Sequence, residues 1–115
     1  GVISPNVSVR AAAARMEALR VGFLVVIDGE RVVGVITDND IAIRVAAKDR
    51  IPSTTWVRSI MTTDMLYCRE DDDIREASRA MQAHAIRRIP VLDSGNRLTG
   101  VLHLEALTTA APQIV

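Results

Sequence analysis

Apolar positions follow two rhythms along this chain, and the alternation of the two occurs twice. Val9, Ala12, Ala13, Met16 and Leu19 are spaced as one face of a helix, and Ile74, Ala77, Ser78 and Met81 keep that spacing. Each helical stretch is followed by a short apolar run that reads as a strand, FLVVI at 23–27 and IPVL at 89–92. Turn residues come next, Asp28-Gly29-Glu30 and Asp93-Ser94-Gly95-Asn96. A second strand, RVVGVI or RLTGVL, then enters another helix. In the first copy that helix carries Ile41, Ala42, Ile43, Val45 and Ala46, read here as its apolar run.

The two copies superpose as text. A shift of 65 residues lays Val9–Asp28 over Ile74–Asp93, matching Arg10, Ala12, Met16, Ala18, Val26 and Asp28 with Arg75, Ala77, Met81, Ala83, Val91 and Asp93. One extra residue in the second turn makes the shift 66, and Arg31, Gly34 and Val35 then meet Arg97, Gly100 and Val101. Residues 1–50 are assigned to the first repeat, 51–60 to a connecting segment, and 61–115 to the second repeat. The connecting segment should hold a short helix at WVRSIM, after the break at Pro52–Thr55. Met65–Arg69 is expected to be extended, with Gly1–Ser4 as its shortened counterpart. The predicted class is α+β, an α/β sandwich-like module. Neither small sheet can bury both faces alone, so the repeats should pack sheet to sheet about a pseudo-twofold axis. Pro90 is expected at the start or edge of its strand.

Local chemistry concentrates where strand meets helix. Thr37 with Asp40 has capping-box spacing, and so has Asp73 with Glu76. Arg44 stands at i+4 from Asp40 and is expected to pair with it. Thr37-Asp38-Asn39-Asp40 therefore has two open readings, a helix cap and a ligand-binding corner.

Composition narrows the function classes. Fourteen basic residues balance fourteen acidic ones, and the chain has one Trp, one Tyr and one Phe. A nucleic-acid surface, which needs basic charge or stacking platforms, is not expected. Cys68 is the sole cysteine, so no internal disulfide can form, and no Cys/His cluster has metal-ligand spacing. No apolar run reaches the roughly 18 residues of a membrane span, and no leader opens the chain; a cytoplasmic setting is expected. The run Glu70–Asp73 suits a helix start better than a cation site. His84 and His103 have no Ser or Cys placed to complete a triad, so no enzymatic activity is expected.

Three stretches, GVITDNDI at 34–41, VRSIMTTDMLYCREDDDIREASRAM at 57–81 and HAIRRIPVLDSGNRLTGVLHLEAL at 84–107, resemble a tandem CBS-domain pair, the Bateman module. The likeness covers essentially the whole chain, and the first copy is similar to small stand-alone bacterial CBS-domain proteins. It implies a regulatory or sensory module that binds an adenosine-containing ligand, AMP, ADP, ATP or S-adenosylmethionine, in an inter-repeat cleft. It also implies a ribose contact at Thr37 and Asp40. A carboxylate can accept from both hydroxyls of a cis-diol. The second copy has His103 and Ala106 at these positions, and Ala106 cannot hold a ribose. Arg87 or Arg88 would meet phosphates, surface pairing being the alternative. Val2, Ile3, Tyr67 and Cys68 would flank an adenine, or only pack at the sheet edge. Departures in the second copy leave room for a structural or protein-interaction module that binds no nucleotide, with a regulated partner protein unidentified. Alanines at 11, 12, 13, 14 and 18, echoed at 77, 80 and 83, suggest close helix approach and a homodimer.

Overall fold

The computed structural model describes residues 1–104 and 113–114. The chain divides into two compact units, Gly1–Asp64 and Met65–Val115. The connecting segment and its short helix α3 (Val57–Ile60) thus fold with the first repeat.

The first unit runs β1 (Val2–Ile3), α1 (Val9–Leu19), β2 (Phe23–Asp28), β3 (Arg31–Thr37) and α2 (Asp38–Ile41), which continues as a π-helical turn, Ala42–Ala46. Its sheet has the order β1-β2-β3, with β1 parallel to β2 and β2 antiparallel to β3. Alternation along β2 and β3 sends Leu24, Val26 and Ile36 into a core with Val9, Ala12 and Met16 of α1 and with Val45, Val57 and Ile60. Each large side chain fully buried in this way contributes about 1.5–3 kcal/mol of transfer free energy. Gly29, at φ 66°, occupies the left-handed position of the tight β2–β3 turn.

The second unit repeats the plan: β4 (Cys68–Arg69), α4 (Ile74–Ala83), β5 (Arg88–Leu92) and β6 (Leu98–His103), with β7 (Gln113–Ile114) beside β6. Its core joins Cys68, Ala77, Met81, Ile89, Val91 and Leu102. The duplication is faithful in register. A bulge falls after Val26 opposite Gly34 in one copy and after Val91 opposite Gly100 in the other. A left-handed residue follows each helix, Arg20 at φ 56° directly after α1 and Ala85 at φ 54° after the His84 cap of α4. The next amide then returns to the helix, Val21 to Met16 and Ile86 to Met81. The helix expected after β6 in the second copy, Ala106 included, lies outside the described residues.

Several local expectations are corrected. Leu19 does not complete the buried face of α1 but is 44% exposed, because Arg20 already turns the chain out of the helix. Ile74 is exposed at the first turn of α4. Asp73 caps α4 through the Arg75 amide alone, so the reciprocal capping box with Glu76 is not formed. The apolar run after Thr37 is largely solvent-facing, with only Val45 buried between Ala42 and Ala46. Pro90 lies inside an inner strand rather than at an edge. Its counterpart Val25 donates its N–H to the Gly1 carbonyl on the β1 side. Pro90 has no such N–H, and β4 accordingly begins only at Cys68, opposite Val91.

Candidate functional site

The junction of β3 and α2 is the one place where charge is buried among the described residues. Asp40 is 7% exposed and is the buried polar or charged residue of that set. Thr37 closes β3 in extended geometry, and its Oγ1 accepts from the Asp40 amide at 3.1 Å. Asp40 Oδ2 accepts from the Thr37 amide at 3.0 Å. The capping box is therefore complete, and it fixes both side chains at the helix entrance.

A residue distant in sequence, Thr62, and a near one, Arg44, complete the corner. Thr62 Oγ1 donates to the Asp40 carboxylate, 3.1 Å from Oδ1 and 3.3 Å from Oδ2. Arg44 Nε lies 3.8 Å from Asp40 Oδ1, as the i,i+4 spacing predicts. Its closer bonds, however, run from Nη1 to the carbonyls of Ile60 and Met61, at 3.2 and 3.3 Å. These are terminal carbonyls of α3, where a guanidinium is favoured by both hydrogen bonding and the helix dipole. The backbone supports the contact, since Val35 and Thr62 exchange both amide bonds, at 2.8 and 2.9 Å. Gly34 permits this approach, because a Cβ there would stand 2.6 Å from the Thr62 carbonyl oxygen.

Thr62 was not singled out from sequence. The available signal was Gly34, a glycine within a strand, which marks a bulge or a close backbone approach. It could not say which segment approaches.

The remaining candidates are spread over both units. Val2 and Ile3 form β1, on the opposite flank of β2 from Thr37. They line a hollow of about 460 Å³ with Arg15, whose Nε donates to the Val2 carbonyl at 2.7 Å; Thr37 and Asp40 do not line it. In the second unit Tyr67 is exposed, with the Arg69 guanidinium 5.3 Å from its ring centre. Cys68 is buried in β4; burial pushes its thiol pKa up, and the Asp72 carboxylate adds to the rise. Arg87 and Arg88 are both exposed, and Arg88 stands across the strand pair from His103. Burial, and then the Arg88 charge, lower the His103 pKa and favour neutral imidazole. Of the acidic run, Asp72 accepts from the Arg69 amide and Asp73 caps α4. Among the described residues no group of His, Cys, Asp and Glu is placed to hold a metal ion, and no helix is long and apolar enough to cross a membrane.

Comparison with known proteins places this geometry in a family. The CBS domain matches twice, at residues 2–47 and 57–112. The CBS domain-containing protein YhcV of Bacillus subtilis is 34% identical over 89% of this chain and 71% of its own length. The chain spans 65% and 58% of two further curated relatives. A CBS-domain crystal structure superposes with a TM-score of 0.80 at 29% identity, over 90% of this chain and 80% of that one. CBSX2, solved in complex with AMP, superposes at 0.77 with 28% identity, over 90% and 80%. With both matches falling on the repeats, and mixed α+β structure shared with solved CBS proteins, this chain belongs to the CBS-domain family and carries two copies of the domain in tandem.

Proposed function

We propose that the chain is a non-catalytic regulatory module that binds an adenosine-containing ligand, AMP, ADP, ATP or S-adenosylmethionine, through the Asp40 corner of its first repeat. The observation that carries this reading is a carboxylate buried at a strand-to-helix junction and held in one orientation by a complete capping box. Two acceptor oxygens fixed in this way suit the paired hydroxyls of a ribose, and the Thr37 hydroxyl can donate or accept beside them. The AMP complex of the similar CBSX2 supports the ligand class. In the second repeat His103 takes the place of Thr37, so ribose binding is assigned to the first repeat. Val2, Ile3, Tyr67 and Cys68 are proposed to flank the adenine, and Arg87 or Arg88 to meet phosphate. A cytoplasmic homodimer completes the proposal.

Calorimetry with the four ligands tests it. Binding of one of them is expected, and absence of any binding tighter than about 1 mM in the wild type defeats the reading. Asp40→Ala should abolish binding in protein shown to be folded.

One observation favours a second reading, a structural or protein-interaction module without nucleotide. The Asp40 carboxylate is already engaged by the Thr37 amide and the Thr62 hydroxyl. Under that reading saturating nucleotide leaves the melting temperature unchanged, whereas a ligand of the native state must raise it.

A further inference from the structure

We infer that Thr62 is a latch on the Asp40 carboxylate, and that a ligand hydroxyl arriving at Asp40 displaces it and frees the chain segment leading into the second repeat. The inference rests on the ligand reading above and adds to it a route by which occupancy leaves the site.

The geometry is that of one hydroxyl occupying the place of another. Thr62 Oγ1 sits within 3.3 Å of both Asp40 oxygens, the position from which a ribose hydroxyl would have to donate. The Asp40 side chain is 9% exposed, and the Thr62 hydroxyl already lies on both of its oxygens. A ligand hydroxyl that engages both oxygens therefore competes with the Thr62 contact. The Thr37 amide bond to Oδ2 is local to the capping box and can persist through the exchange.

Beyond the burial of Ile60 in the core, three polar attachments hold residues 60–62 against the corner. They are the Thr62 hydroxyl on Asp40, the paired amides of Val35 and Thr62, and the Arg44 guanidinium on the Ile60 and Met61 carbonyls. Two of the three begin on Asp40 or within one turn of it. Arg44 belongs to the π-helical turn Ala42–Ala46, where Ala47 donates back to Ala42. Such turns are inserted irregularities that recur at functional positions. Loss of the Thr62 hydroxyl bond leaves an isolated two-bond bridge at the edge of β3, and short edge pairings open readily.

Amide hydrogen exchange and AMP calorimetry on the whole chain decide the matter. Without nucleotide, Thr62→Val should speed exchange of the Val35 and Thr62 amides by about tenfold, while Leu24 and Ile36 in the same sheet stay protected. Gly34→Ala should do the same from the other side, since its Cβ cannot coexist with the Thr62 carbonyl at 2.6 Å. In the wild type, saturating AMP should speed exchange at Val35 and Thr62. Thr62→Val should bind AMP several-fold more tightly, because no hydroxyl has to be displaced, and Thr62→Ser should match the wild type. AMP binding with unchanged or greater protection at Thr62, or weaker binding by Thr62→Val, overturns the latch and leaves the proposed function standing. Absence of binding of AMP, ADP, ATP and S-adenosylmethionine alike by the wild type in calorimetry removes the function reading and the ligand-driven latch together; where another of the four binds in place of AMP, the same measurements are made with that ligand. Unchanged exchange in both variants without nucleotide overturns the fastening itself.

Discussion

Thr37 and Asp40 show what short sequence spacing can and cannot reveal. Their three-residue separation and the extended Thr37 geometry dictate the capping box, and both reciprocal bonds are present. Thr37→Val should therefore cost about 0.5–2 kcal/mol in urea unfolding, seen as a lower midpoint with an unchanged slope. Thr62 escaped the reading because 22 residues separate it from Asp40, and no periodicity links them. The i,i+4 spacing pairs Arg44 with Asp40 at 3.8 Å, yet the shorter bonds of Arg44 go to carbonyls whose position only the fold sets. Titration offers a second test at this scale. In the β5–β6 turn Asp93 Oδ1 accepts from the amides of Arg97 and Gly95, each at 2.9 Å, and Oδ2 from Arg97 Nε. The Arg97 amide is the leading cause holding the Asp93 pKa below the ordinary 3.8. A carboxylate depressed in the folded state stabilises it above the unfolded pKa, and the contribution disappears as pH falls through the folded value. An NMR titration should place Asp93 below 3.8, and Arg97→Ala should keep most of the depression, because the backbone amide remains. A return to 3.8 in that variant would assign the effect to the guanidinium instead.

Helices and strands were legible wherever local periodicity agrees with the tertiary environment. The faces of α1 and α4 follow the apolar spacing at Val9, Ala12 and Met16, and at Ala77 and Met81. The pattern fails at helix ends, where geometry outweighs it. Arg20 adopts φ 56° and ends α1, so Leu19 projects outward despite its spacing. It fails again after Thr37, where α2 passes into a π-helical turn and Ile43 is 55% exposed. Element-scale mutations should separate these cases. Met16 and Met81 hold equivalent buried positions at 6% and 0% exposure, so alanine at either should cost about 2–5 kcal/mol. Leu19→Ala should stay within about 0.5 kcal/mol, the range of surface changes. Chemical denaturation of the three variants checks the contrast; equal losses at Leu19 and Met16 would return Leu19 to the core face.

At the scale of the whole molecule the duplication was the strongest signal, because a shift of 65 residues, 66 after the turn, ties α1, β2 and β3 of one copy to α4, β5 and β6 of the other. Even the bulge after Val26 recurs after Val91. Which segment stands beside Asp40 was not legible, since Thr62 is expected at the start of the second repeat but lies in the first unit, Gly1–Asp64. The proposed homodimer belongs to this scale as well. On α1, Val9, Ala12 and Met16 face the core, while Ala11, Ala14 and Ala18 are exposed beside the exposed Leu19. Alanine has the highest helix propensity, so an exposed run could serve stability alone. Small side chains flanking an exposed leucine also suit close approach of a second helix, and a twofold axis would place the same face on both partners. Sedimentation at micromolar concentration separates the two. The monomer mass is 12.5 kDa, and the dimer, twice that, is expected at about 25 kDa in closed twofold symmetry. Ala14→Trp should shift the wild-type dimer toward monomer without changing the melting cooperativity of the fold. A wild type that sediments at 12.5 kDa refutes the dimer and returns the alanines of α1 to helix propensity.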